Sequence, residues 1–404
     1  MKDSHFVEEL IITNISKGYH DIADIATQSG GIYPSELIPI LNKLIEEGRI
    51  HKNERELYIL TYPQKNCPQI ILPEPHPLDF DWRFEPTSSK MILEYLIREN
   101  NYSNTILLLG SPSIFIEFTK LCDPPKVKLI DWNNELINYI SKFEYHNNLS
   151  CYALDLFDEN IIDSNLYDII TDHKSVNIVF FDPPWYVNDY KIFLAHASKL
   201  VKVGGVVMVA LLSLNARPNA YLDRYDIFFT AKKLGLHIEF IEKNRIAYQT
   251  PLFEQNSLQN EGIRISKNWR YGDLVLFRKI HESNAYTNVL QSVKKNQKIE
   301  TKNWISFLIR GYKIKINSKD LDPDIEPELI SLEKNDILPT VSRRYTKRSQ
   351  IDLWLWDNRV YGLKGAIYFI NALYSISNLE IPQNYQTNNT DYLNKATTLL
   401  RKIL

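Results

Sequence analysis

Asn177-Ile178-Val179-Phe180-Phe181-Asp182-Pro183-Pro184-Trp185-Tyr186 is the stretch that decides the fold. Apolar, β-favouring residues run up to an acid, two prolines and two aromatics, which reads as a buried strand delivering a polar group to the end of a sheet. In open α/β sheets that edge is where ligands bind. Each proline fixes its own φ and lacks an N–H, so the pair after Asp182 is expected to offer carbonyl acceptors without competing donors. Such a site suits an amine. The Asp182 carboxylate and the carbonyls of Pro183 and Pro184 can take hydrogen bonds from an –NH2 group and leave its lone pair free to attack, while Trp185 or Tyr186 stacks on a flat substrate. The competing reading is a strand end closed by Pro-Pro, with the aromatics in the core.

Outward from this stretch, helix and strand alternate from Ser89 to about residue 280. Strands are expected at Thr105–Leu109, Lys126–Ile130, Ser150–Leu154, Asn177–Phe181, Gly205–Leu212, His237–Ile246 and Leu274–Arg278. Helices are expected at Met91–Glu99, Ile114–Leu121, Glu135–Phe143, Tyr190–Val201 and Tyr221–Leu234. This βαβ repetition predicts a Rossmann-like α/β domain, a seven-stranded, mostly parallel sheet with helices on both faces and an antiparallel hairpin at its end.

The first three strands stop at Gly110, Asp131 and Asp155. An acid after the second strand is placed to take two ribose hydroxyls of an adenosyl ligand, and one after the third to accept from an adenine amino group. Read separately, Asp131 and Asp155 could each be a helix N-cap or a turn residue. With Asp182 after the fourth strand, the layout resembles class I S-adenosylmethionine-dependent transferases. That resemblance makes Gly110, Ser111, Asp131, Trp132, Asp155 and Leu156 the donor-side candidates. Gly110-Ser111-Pro112-Ser113 is not a glycine-rich turn, so the backbone has less freedom to approach a ligand closely.

At 404 residues the chain exceeds one average domain. Residues 1–62 carry three helical patterns and a small hairpin, Arg49–Lys52 with Glu56–Leu60, which resembles a winged helix. Its third helix, Pro34–Glu47, holds three Glu against one Lys, a poor match to phosphate, so docking or dimerisation competes with DNA binding. Residues 63–88 form a proline-dense connector whose Leu78, Phe80, Trp82 and Phe84 call for a surface to lie on, as a strap over the catalytic mouth or a plain packing segment. Residues 281–404 form a C-terminal α+β accessory domain with a basic-aromatic run, Arg343 to Trp356, open to phosphate and base contacts or to a solvated strand end. Polar-aromatic clusters on loops near the last strands supply Arg217, Glu254 and Arg270 as acceptor-side candidates, and Asp81 joins them from the connector.

A net charge of −2 exerts no global pull on nucleic acid. Three scattered cysteines, Cys67, Cys122 and Cys151, support neither a disulfide framework nor a zinc cluster, and no metal is expected. With no long apolar span, a soluble cytoplasmic protein without a membrane partner is the expectation.

Within residues 73–185 the chain resembles the branched-chain polyamine synthases, the N4-bis(aminopropyl)spermidine synthases. The matching pieces are Pro73-Glu74-Pro75, Phe80-Asp81, Ile106 to Gly110, Leu129 to Leu136, Leu154-Asp155-Leu156 and Asp182-Pro183-Pro184. The resemblance implies a winged helix joined to a Rossmann-like transferase, and aminopropyl transfer from decarboxylated S-adenosylmethionine to a polyamine. The family's Gly-Asp-Asp-Asp-Leu stands here as Gly110-Ser111-Pro112-Ser113-Ile114, and serines cannot attract or deprotonate a cationic polyamine as carboxylates do. Asp182-Pro183-Pro184-Trp185 is also similar to the motif of adenine-N6 and other amino methyltransferases, whose base must be flipped from a duplex. Methyl transfer from S-adenosylmethionine to an amine is therefore the leading expectation, with aminopropyl transfer second. A non-catalytic nucleotide- or nucleic-acid-binding protein is third. The amine-bearing substrate is a nucleobase or a polyamine. Nucleic acid, and a homodimer through the winged helix or the C-terminal domain, stay open as partners.

Overall fold

The computed structural model describes residues 3–16, 19–53, 56–60, 70–100, 104–158, 176–265, 268–294, 303–319 and 321–404. Of the positions named from sequence, Cys67, together with the hairpin turn at 54–55, lies outside them. The chain divides into two compact units, each built from three segments. The first comprises Met1–Ile71, Phe84–Ile246 and Tyr271–Lys295; the second comprises Leu72–Arg83, Ala247–Arg270 and Asn296–Leu404.

The first unit opens with helices Asp3–Ser16, Ile22–Gln28 and Pro34–Glu46 and an antiparallel pair, β1 (Ile50–Lys52) with β2 (Tyr58–Leu60). Ile11, Ile15, Ile25, Leu37, Leu41, Leu44 and Ile50 close their own apolar core. Asp21 starts the second helix by accepting from the Ala23 N–H at 2.8 Å.

The main sheet follows: β3 (Thr105–Leu109), β4 (Val127–Asp131), β5 (Leu149–Ala153), β6 (Val176–Phe181), β7 (Val206–Leu212), β8 (Leu236–Ala247) and β9 (Tyr271–Lys279). Their order is β5-β4-β3-β6-β7-β9-β8. The five strands from β5 to β7 run parallel, and β9 is antiparallel to β7 from Val206↔Arg278 to Leu212↔Gly272. Every residue of β3, β4 and β7 is buried, as expected for strands covered on both faces. Strand order runs outward one way from β3 and the other way from β6, so the topological switch point lies between them, at Gly110 and Asp182. The helix after β3 begins at Pro112 rather than at the expected Ile114, because proline suits a first helical turn where the N–H has no partner. Helix Ala285–Lys294, assigned from sequence to the C-terminal domain, instead buries Tyr286, Val289, Leu290 and Val293 in the core of the first unit.

The second unit is a five-stranded antiparallel sheet of order β10-β11-β13-β14-β12, made from β10 (Trp304–Ile309), β11 (Tyr312–Asn317), β12 (Glu328–Ser331), β13 (Leu353–Leu355) and β14 (Val360–Lys364). Helices Ala366–Ile376 and Thr390–Ile403 contribute to its core. Leu78 of the proline-rich segment packs with Phe253, Leu338, Ile351 and Trp354. Asp79, buried in the same unit, pairs with Lys313 at 2.8 Å and Lys315 at 2.7 Å. Leu78 and Asp79 thus serve packing within this unit. No helix among the described residues is long and apolar enough to cross a membrane.

One buried ion pair locks the antiparallel end of the main sheet. Arg224 donates to Asp273 on β9, with both side chains almost fully enclosed, and Asp273 also accepts the Asn244 N–H at 2.8 Å. Removing the acid strands a buried guanidinium, so Asp273→Ala is expected to lower the unfolding free energy by about 3 kcal/mol, read as a shifted urea midpoint. A loss below about 1 kcal/mol would mean that the pair is solvated and dispensable.

Candidate active site at the carboxyl edge of the sheet

Register sets the site. Leu109 is paired with Ile130 on one side and Phe181 on the other, so Gly110, Asp131 and Asp182 leave three neighbouring strands at one height. At about 4.8 Å per strand spacing, the outer two stand about 10 Å apart at their Cα atoms.

Gly110 has φ +61°, in the left-handed region that glycine enters without strain. A Cβ built there would meet Phe193 at 3.6 Å and the Asp182 carbonyl at 3.9 Å, both ordinary contacts. The dihedral angle therefore calls for glycine, and Asp182 lies directly beside it. Ser111 is buried and its hydroxyl turns back to the Leu109 carbonyl at 3.2 Å. Asp131 is 8% exposed, and its Oδ1 accepts the Asn133 N–H at 2.8 Å, while the Trp132 ring is 47% exposed. An ionised carboxylate presents about four acceptor positions to the donors around it. Asn133, rather than Asp131, caps helix Asn134–Ile140 through its side chain, so that helix does not account for the acid.

One strand further out, Asp155 accepts the Phe157 N–H at 2.9 Å. It keeps an open side, yet partial desolvation raises its pKa above the ordinary carboxylate value, opposed by the Phe157 N–H and reinforced by Asp158. Leu156 is buried, and its carbonyl accepts from His196 Nε2 at 3.0 Å. These residues fit an adenosyl group: an enclosed carboxylate at β4, a second at β5, and a side-chain-free strand tip between β4 and β6.

The Asp182-Pro183-Pro184-Trp185 loop is braced from two sides. Asp182 is half-buried. Tyr190, fully buried eight residues on, donates to the Ala210 carbonyl at 3.0 Å and accepts the Leu212 N–H at 2.9 Å. Burial raises its pKa well above the ordinary phenol value, and the Asp182 charge adds to that. Arg217 donates to the Trp185 carbonyl and pairs with Asp223 at 2.7 Å. The Pro184 carbonyl accepts the Tyr186 N–H at 2.6 Å, so a competing donor does reach the loop, from the first residue beyond the aromatic. Tyr186 starts helix Val187–Leu200 through its carbonyl, and the Trp185 ring is partly buried against the main core.

Gly110, Ser111, Asp131, Trp132, Asp155, Leu156, the Asp182 to Tyr186 loop and Arg217 all belong to the first unit. Asp81, Glu254 and Arg270 belong to the second. There Arg270 pairs with Glu254 and lies 5.1 Å from the ring centres of both Trp82 and Trp269. Trp82 Nε1 donates to Glu254 at 3.2 Å, and Asp81 pairs with Arg83 at 3.0 Å. Burial raises the Glu254 pKa against the pull of Arg270. Glu254 sits on helix Leu252–Asn260 and not on a loop, because Pro251 supplies an extended entry to a helical turn. In the basic run, Arg343 and Arg348 lie 4.3 Å and 5.5 Å from the Phe80 ring centre, Arg348 is 4% exposed, and Lys347 pairs with Glu333 at 3.1 Å. Those cations are engaged within their own unit. Tyr190, Phe193 and Asp223 had no site role in the sequence reading, and the pattern signal they carried was that of ordinary helix residues.

A family model described as Probable N6-adenine methyltransferase matches residues 81–259. No curated protein matches the sequence. Among solved structures, the branched-chain polyamine synthase of Thermus thermophilus, in complex with N4-aminopropylspermidine and 5'-methylthioadenosine, is 12% identical over 69% of this chain and 88% of its own, with TM-score 0.42. The fibrillarin pre-rRNA processing protein of Methanococcus jannaschii is 13% identical over 59% of this chain and 85% of its own, with TM-score 0.34. The N-methyltransferase NodS of Bradyrhizobium japonicum is 12% identical over 49% of this chain and 99% of its own, with TM-score 0.31. The strand order and the matched family model define the class: the chain is an S-adenosylmethionine-dependent transferase, an enzyme whose donor is S-adenosylmethionine or its decarboxylated form.

His196 ties the site to pH. Burial lowers its pKa from 6.5 to about 4, with the Leu156 carbonyl pulling the other way. A depressed folded pKa means that the stability linked to its neutral form is complete above pH 6.5 and is lost as pH falls toward 4. Unfolding free energy is expected to decline through that window, and His196→Phe to decline less steeply. Identical pH slopes in the two proteins would remove His196 from this account.

Proposed function

We propose that the chain transfers a methyl group from S-adenosylmethionine to an exocyclic amino nitrogen of a nucleobase, adenine N6 being the first acceptor to test. The observation that carries this reading is the half-buried Asp182 at the switch point, its backbone carbonyl beside Gly110, on a loop braced by Arg217. The match of residues 81–259 to the model of probable N6-adenine methyltransferases supports the acceptor class.

Asp131 would take the ribose hydroxyls, Asp155 the adenine amino group, and Gly110, Ser111, Trp132 and Leu156 the remaining outline of the donor. Bound there, S-adenosylmethionine supplies a methyl group already activated by its sulfonium. Asp182 accepts one N–H of the amine and the Pro183 carbonyl a second, which turns the nitrogen lone pair toward the crevice. Pro184 is less available, its carbonyl being engaged by Tyr186. Tyr186 or the exposed edge of Trp185 holds the flat base. Alignment supplies most of the acceleration, since no strong base is needed to activate a neutral amine.

Methyl transfer is favoured over aminopropyl transfer because Ser111 and Ser113 leave the turn after Gly110 without a carboxylate to draw in a cationic polyamine. Calorimetry with S-adenosylmethionine and with its decarboxylated form separates the two, and tighter binding of the decarboxylated donor would reverse the assignment. In a turnover assay on adenine-containing oligonucleotides, Asp182→Ala is expected to lower kcat by roughly 100-fold with donor affinity unchanged. Arg217→Met should lower kcat by a smaller factor, partly restored by Arg217→Lys. Full activity in Asp182→Ala would end the proposal.

A further inference from the structure

At the opposite edge of the main sheet, where the strands begin, lies a cavity of about 520 Å³ lined by Thr13, Arg98, Glu99, Asn104, Asn177, Lys202, Gly204 and Arg278. All of these belong to the first unit, and Thr13 comes from its first helix. Three cations meet here, which is costly unless acids or a ligand balance them. Glu99 serves two of them, reaching Arg98 at 3.3 Å and Arg278 at 3.5 Å. Glu239 holds Arg278 through both of its oxygens, at 2.7 Å and 2.8 Å. Lys202 has no such partner. Its Nζ donates to the neutral Asn104 Oδ1 at 3.3 Å, and among the described residues no carboxylate lies within ion-pair distance of it. Among the described residues two acids therefore face three cations, and the cation without a carboxylate there is Lys202.

The surroundings are those of a built site. Arg98 and Glu99 end helix Pro86–Asn100, Asn177 is on β6 and Arg278 on β9, so rigid elements hold most of the lining. The Arg278 guanidinium is fixed by the Gly204 carbonyl at 3.1 Å as well as by Glu239, and the Arg98 guanidinium lies 4.5 Å from the Tyr95 ring centre. The side chains of Thr13, Asn104 and Asn177 add neutral hydrogen-bonding groups around the excess charge. A mobile surface ion-pair cluster would not need amides and a hydroxyl from three separate parts of the chain.

We propose that this cavity binds a phosphate group, held by Lys202 and Arg98 with the neighbouring amides, at a distance from the transfer site. A free phosphate ester and the phosphodiester backbone of a nucleic acid present the same chemistry to it. The assignment does not rest on the proposed methyl transfer, and its test is a binding measurement.

The full chain is titrated by calorimetry with inorganic phosphate and, separately, with a short single-stranded DNA oligonucleotide, in parallel with Lys202→Gln and with Lys232→Gln as the control. Lys202→Gln is expected to weaken binding roughly 10-fold or more and, for the oligonucleotide, to flatten the salt dependence by about one released counterion. Lys232→Gln, exposed on another helix, should change neither. Uptake of phosphate points to a small ester, and uptake of the oligonucleotide alone points to a backbone; either supports the site. Should Lys202→Gln misfold, as judged by circular dichroism, Asn177→Asp adds a negative charge at the same place and is expected to weaken the same binding. Equal affinities in wild type and variant, or uptake of neither probe, would overturn the assignment.

Discussion

Leu109 sits in register between Ile130 and Phe181, and this double pairing constrains the rest of the first unit. Parallel strands joined by right-handed crossovers place all their carboxyl ends on one side. Level ends make neighbours of the residues that follow. Gly110 therefore stands between two acids with no side chain of its own, and its positive φ turns the chain into the next helix. A single-residue slip of β4 or β6 would reverse which face each side chain meets and scatter the three tips. Packing forbids it: β3 and β4 are buried along their whole length, so a slipped strand would exchange one set of fully enclosed apolar contacts for another that does not fit.

The loop that carries Asp182 relies on a different kind of support. Two prolines remove backbone freedom, but they also remove donors that could anchor the loop to its surroundings. Side chains from other elements make up for it. Arg217 reaches the Trp185 carbonyl from the segment after β7 and is itself held by Asp223, while Tyr190 joins the end of β7 to the helix that follows the loop. Rigid support of this sort matters for a reaction whose rate depends on alignment, since small misplacements cost large factors.

Much of the first unit was legible because its strands read as apolar runs, and the first four of the main sheet stop at a glycine or an acid. Thr105–Leu109 was read with both ends correct, and the other strands to within a few residues. The brace from Arg217 was not legible: a side chain meeting a backbone carbonyl 32 positions away leaves no pattern in sequence. The second unit was hidden for a related reason. Its strands include runs as short as Leu353–Leu355, too brief for periodicity to show, and its core draws on Leu78, Phe253 and Trp354, which are far apart along the chain. Asp79 gives no signal of its role from within a proline-dense connector, since its partners Lys313 and Lys315 lie more than 230 positions away. Glu254 is expected on a loop near the last strands, and here Pro251 opens a helix instead.

The division of the chain has a consequence for its synthesis. His76 bonds to the Trp354 carbonyl across 278 positions, and the segment around it belongs to a unit whose strands are all made much later. On a ribosome, residues 72–83 and 247–270 must wait, with Leu78 and Phe253 uncovered, until β10 to β14 have emerged. Contacts of such long separation form slowly and leave apolar surface open to the wrong partners in the meantime. The prolines around His76 shorten that exposure in one respect, since a stiff segment with few conformations to search is cheaper to capture than a flexible one.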